Sequence, residues 1–258
     1  MNIETWIKIW RAGFVIAFFG ATQFVIFCII AMTQYQGGTM LNPESVGYDL
    51  SENYLSDLGR EMALNGVPNK GNKIFNGSLI LLGFCSIPFF LFMPTHAYDK
   101  VGWLAIAAAI GLVAAIAIIF MGSYPYDLSP VTHFTALFFW LAAIFFASSI
   151  HAMCLLTSKD ETSMVLSLVS VAVAMLAVAY IYHGTETAAA VIMRREIPLK
   201  SVLLQKLLGL ATLIWMFSVS LKMLLTADFS EFYPRDVTLE AEDYLQSLEE
   251  EPWVPMRK

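Results

Sequence analysis

The stretch VGWLAIAAAIGLVAAIAIIFM, residues 101–121, decides the fold. It holds no charged side chain, and a helix rising about 1.5 Å per residue needs only about 20 apolar residues to cross a hydrocarbon core. Five further apolar runs of comparable length lie at 9–32, 74–93, 131–156, 163–182 and 201–225. An amide facing lipid must be satisfied within its own segment, so each run is read as a helix and the whole as an all-α membrane bundle of six transmembrane helices. Pro88 within the second run predicts a kink without abolishing the span.

Composition agrees. The 258 residues are 58% hydrophobic and only 14% charged, with a mean hydropathy of +0.65, against roughly 25% charged residues in an average soluble domain. Residues 1–225 are read as one six-helix domain and 226–258 as an acidic cytoplasmic tail, in which VTLEAEDYLQSLEEE is expected to form a small amphipathic helix. The net charge of −6 argues against nucleic acid, whose phosphates require a basic footprint. Cys28, Cys85 and Cys154 all fall inside spans and form no disulfide or metal motif. The N-terminal apolar run is too long for a signal peptide and is read as a retained first span.

Orientation is nearly balanced by charge, since Lys8, Arg11, Lys100, Lys159, Lys222 and Arg235 face Arg60, Lys70, Lys73, Arg194, Arg195 and Lys200. The acidic tail favours both termini inside. Parity is firmer than orientation, because loops 1, 3 and 5 share one side whichever way the bundle faces. The loop between spans 1 and 2 is long, about forty residues rich in Gly, Asn, Asp and Ser, and loops of that length tend to be functional or disordered. It is expected to fold over one mouth of the bundle.

On that side stand the candidate ligand-binding residues Asn53, Ser56, Asp57, Asn76, Asp127, His133 and His183, with Arg60 and Lys73 beside them. Ionisable groups at membrane depth are costly and call for a function and a partner. Two readings follow. In one, the mouth binds a lipid headgroup or another small polar ligand. In the other, His133, His183, Asp57 and Asp127 hold Zn²⁺ for an intramembrane lipid hydrolase, with a metal-activated water as nucleophile; no resident cofactor is expected otherwise. A histidine at a helix end is also satisfied by a loop carbonyl, and Ser56 and Gly59 suit a cap and a turn. A third reading makes the chain an accessory subunit that docks through its aromatic faces and acidic tail. Lys206 is expected to snorkel to the interface, and His96 and His151, at the opposite end, are given no specific role. The small residues of span 3, Ala107, Ala108, Ala109, Gly111, Ala114 and Ala115, suit a central, closely packed helix.

Three strings carry a resemblance: NYLSDLGR at 53–60, NKIFNGSLILLG at 72–83 and GSYPYDLSPVTHFTALFFW at 122–140. They resemble a prokaryotic six-span domain of unknown function that is distantly similar to the DRAM and Frag membrane proteins. The matching positions are Asn53, Ser56, Asp57, Gly59, Phe75, Asn76, Pro125, Asp127 and His133. The resemblance implies six spans with both termini cytoplasmic, points loosely to lipid and trafficking roles, and implies no reaction.

Overall fold

A computed structural model describes residues 3–158, 161–192 and 200–226. Among them are six α-helices: α1 (Ile3–Gln34), α2 (Asn72–Leu91), α3 (Val101–Ser123), α4 (Pro130–Leu156), α5 (Glu161–Ile192) and α6 (Lys200–Thr226). Each contains a stretch long and apolar enough to cross a membrane. The all-α bundle expected from the six apolar runs is the fold. The acidic tail and its expected amphipathic helix, together with Lys159, Arg194, Arg195 and Arg235, lie outside the described residues.

The helix ends differ from the hydropathy limits where polar residues continue a helix beyond the apolar run. His183, Thr185 and the residues up to Ile192, expected as the start of loop 5, extend α5. The reason is propensity: TETAAAVI contains no breaker, and alanine is the strongest helix former. Pro88 sits in the last turn of α2, which ends three residues on at Leu91, with the Phe92 amide still donating to the Pro88 carbonyl at 3.0 Å.

Helices α1 to α5 pack against their sequential neighbours, and small residues set the spacing. A Cβ at Gly20 of α1 would collide with Cys85 of α2, and one at Gly111 of α3 would collide with the Phe90 ring. Ala107, Ala114 and Ala115 are fully buried in the same face of α3. In lipid, where apolar surface gives little net drive for association, such close approach supplies the dispersion contacts. As expected, α3 is a closely packed helix, set between α2 and α4. Val113, Ile116 and Phe120 are exposed on its outer face, and Trp215 of α6 is among the largest fully buried side chains. That indole has no exposed surface and packs edge-to-face against Phe89 of α2 and His151 of α4, with ring centroids 5.4 Å apart in both cases.

Replacing Gly111 by alanine should therefore destabilise the bundle by about 1–3 kcal/mol through overpacking. Gly102→Ala, where an added Cβ meets nothing within 4 Å, should leave stability unchanged or slightly raised. Thermal unfolding of both variants in detergent checks the contrast.

Candidate functional site

The 35–71 segment between α1 and α2 is built from amide accounting. A chain that leaves helix geometry near a membrane must find partners for its N–H and C=O groups, and here asparagine side chains provide them. Asn53 has no exposed surface. Its Nδ2 donates to the Gly38 carbonyl at 2.8 Å, and its Oδ1 accepts from the Asp49 amide at 2.9 Å. Asn69 Nδ2 donates to the carbonyls of Leu58 (2.9 Å) and Arg60 (3.0 Å), and Asn76 Nδ2, on α2, to that of Gly59 (2.8 Å). Gly38 is at φ +86°, and a side chain there would collide with the backbone at Leu64 and Asn65. Leu58, fully buried, anchors the centre of the segment.

Asp57 closes a short 3-10 helix, Leu55–Gly59, by accepting from the Tyr54 amide at 2.8 Å and from Asn53 Nδ2 at 3.3 Å. Burial pushes its carboxyl above the usual carboxylate range, partly offset by the hydrogen bonds from Asn53 and Tyr54. Ser56 is not the cap of this turn. Tyr54 holds the N-cap position, and Ser56 finds no hydrogen-bond partner among the described residues. Gly59 does not close the turn through a left-handed conformation either. It is needed for space, because a Cβ there would collide with the Asn76 side chain.

The first turns of α6 bond to the 35–71 segment, hereafter the cap. Ser201 Oγ pairs with Tyr54 Oη at 2.6 Å, and Gln205 Oε1 accepts from the Leu55 amide at 2.6 Å while its Nε2 donates to Tyr180 Oη at 3.3 Å. Lys206, expected to snorkel, instead donates to the Asn53 carbonyl and lies over the Tyr48 ring, 5.5 Å from its centroid. Nothing in the sequence pairs residues 53–55 with 201–206. The one available signal was a polar Gln-Lys pair one turn into an otherwise apolar helix.

Loop 3 meets the cap at a second point. Asp127 Oδ2 accepts from the Met62 amide at 3.1 Å, while its Oδ1 is buried with no partner among the described residues. Arg60 commits its Nε to the Met62 carbonyl (3.1 Å) and places its guanidinium 5.4 Å from the Tyr126 ring centroid. His133, 7% exposed in the first turn of α4, donates its Nδ1 proton to the Tyr124 carbonyl at 3.0 Å, with its ring 6.2 Å from that of Tyr126.

The sequence candidates therefore divide. Asn53, Asp57 and Asn76 are joined in the cap's internal bonding, Asp127 and His133 stand together at the loop 3 corner, and His183 lies on the extended α5 beside Tyr182. Among the described residues no group of three or more His, Cys, Asp or Glu is placed to hold a metal. The expected joining of His133 and His183 with Asp57 and Asp127 is not seen.

A family model described as "protein of unknown function (DUF998)" matches residues 43–222, and the chain belongs to that family. The match takes in most of the cap, α2 to α5 and most of α6. No curated protein and no solved structure matches the chain.

The raised carboxyl of Asp57 gives a pH dependence with a definite sign. A carboxyl whose folded pKa lies above its unfolded one favours folding most fully below the unfolded value, and that contribution fades as pH rises through the folded value. Cap protection, measured by hydrogen exchange of residues 50–60, should rise as pH falls through that window. Asp57→Asn, which keeps an acceptor for Tyr54, should abolish the dependence, and Asp57→Ala should cost about 1–3 kcal/mol by orphaning two donors.

Proposed function

We propose that this polytopic membrane protein binds the polar headgroup of a lipid at its cap end, at the corner formed by Arg60, Tyr126, Asp127 and His133. The carrying observation is the buried carboxylate oxygen of Asp127, without a partner among the described residues, on a residue that shares Met62 with Arg60, whose guanidinium commits only its Nε to a hydrogen bond there. No ion pair joins Arg60 to Asp127 within 4.0 Å among the described residues, although both are tied to Met62. A carboxylate and a guanidinium fork that do not pair with each other complement a zwitterionic headgroup, the ammonium going to Asp127 and the phosphate to Arg60.

A place for the acyl chains supports the reading. A groove of about 480 Å³ runs between α3 and α4, lined by Val113, Ile116, Phe120, Val131, Thr135 and Phe139 among others. Its α4 side begins in the first turn, where Thr132 accepts a hydrogen bond from Ser129 of the same loop as Asp127. The resemblance to the DRAM and Frag proteins points the same way, toward lipid. With the acidic tail cytoplasmic, this corner faces outward across the plasma membrane.

The test is native mass spectrometry of protein released from vesicles mixing phosphatidylethanolamine with phosphatidylglycerol. Wild type should retain phosphatidylethanolamine, and Asp127→Asn and Arg60→Gln should each lower its retention about tenfold, the order expected for losing a charge-assisted hydrogen bond. Equal retention of both lipids in wild type and variants would rule the site out.

A further inference from the structure

At the other end of the bundle, the two histidines without a sequence-level role face each other. His96 lies in a short 3-10 helix after α2 (Met93–His96) and His151 in α4. His96 Nδ1 is 3.0 Å from His151 Nε2, with ring centroids 5.2 Å apart and planes at 80°. The second nitrogen of His151, Nδ1, has two neighbours: Trp215 Nε1 of α6 at 3.2 Å and Ser170 Oγ of α5 at 2.9 Å. His151, Ser170 and Trp215 have no exposed surface.

The proton positions follow from what each group is able to do. An indole N–H only donates, so Trp215 requires His151 Nδ1 to be bare. Neutral His151 then carries its proton on Nε2 and donates it to His96 Nδ1, which must be bare in turn. That leaves the His96 proton on Nε2, a buried atom with no partner among the described residues. Both bare nitrogens are already accepting, so a further proton must displace one of the two hydrogen bonds.

One displacement has a ready substitute. Ser170 Oγ lies 2.9 Å from His151 Nδ1 and 2.8 Å from the Leu166 carbonyl, so its hydroxyl can turn to donate to that carbonyl and present a lone pair to a protonated Nδ1. If Nδ1 takes the added proton it donates to Ser170, His151 Nε2 still donates to His96, and the Trp215 N–H loses its acceptor. A proton on His96 Nδ1 has no such replacement and sets two N–H groups against each other.

We propose that His151 is a proton site that selects between two helices: neutral, it is bonded to Trp215 of α6, and protonated, to Ser170 of α5. The groups packed round the pair are Phe14 of α1, Phe89 of α2, Ser170 of α5 and Trp215 of α6, and the nearby cation on α6 is Lys222, two turns on from Trp215, which donates to Ser163 of α5 at 3.3 Å. Lys222 opposes the added charge. Because Trp215 also touches Phe89 and Phe90, releasing its N–H loosens α6 where it meets α2 and α4, and α6 is the helix whose other end holds the cap.

The experiment is a pH titration of the indole ¹⁵N–H resonances of the full chain in nanodiscs, with the Trp215 signal assigned by its absence in Trp215→Phe. Wild type should show one acid-side step at Trp215. Ser170→Ala, which removes the acceptor of the protonated form, should lower the midpoint by roughly one pH unit, and Lys222→Gln should raise it. If Trp215→Phe does not fold, both other variants keep all six tryptophans, and Trp215 is the resonance they move in opposite directions. A Trp215 signal that stays fixed until unfolding, a midpoint indifferent to Ser170→Ala, or no resonance moved in opposite directions overturns the proposal.

Discussion

Every part of this protein depends on one constraint: a backbone N–H or C=O in hydrocarbon has no water to bond, and leaving it unpaired costs several kcal/mol. Six helices answer it locally, within each span. The 35–71 segment abandons helix geometry for most of its length, so its amides and carbonyls are satisfied by backbone turns and by side chains together. Asn53, Asn69 and Asn76 each offer a donor pair and an acceptor in a short, stiff frame, and together they tie the segment to itself and to α2.

The same constraint separates structural polar groups from available ones. Where a buried donor or acceptor has its partner, as in Asn53, Asp57 and Asn76, the residue is accounted for by folding. Where no partner is found among the described residues, as at Asp127 Oδ1 and His96 Nε2, the molecule carries a group that a ligand or a proton rearrangement can engage. The two lie at opposite ends of the bundle, and α6 links the two regions: Ser201, Gln205 and Lys206 grip the cap, and Trp215 meets His151 further along the same helix.

The distribution of charge fits this division. Lys206 gives up the interface to bond a cap carbonyl, since a desolvated ammonium needs an acceptor more than the lysine stem needs freedom. Asp57 is held by two donors, yet its carboxyl lies above the usual carboxylate range, because burial disfavours its charge more than the hydrogen bonds favour it.

The sequence by itself determined the six spans, since apolar length reports directly on the lipid solvent, and it placed Asp127 and His133 at one mouth by parity alone. It also marked the small-residue face of α3, because close helix approach demands missing side-chain atoms. It did not separate Ser56 and His183 from their neighbours as site candidates, nor did it show that Gly59 is needed for the space Asn76 occupies. Nor did it find the pairing of Tyr54 and Leu55 with Ser201 and Gln205, or that of His96 with His151 and Trp215. Those contacts join residues from 55 to 150 positions apart, and hydrophobic periodicity carries no record of which polar side chains meet. Only tertiary structure, which fixes distance and direction between groups on different helices, decides whether a buried imidazole is inert or one member of a hydrogen-bond chain.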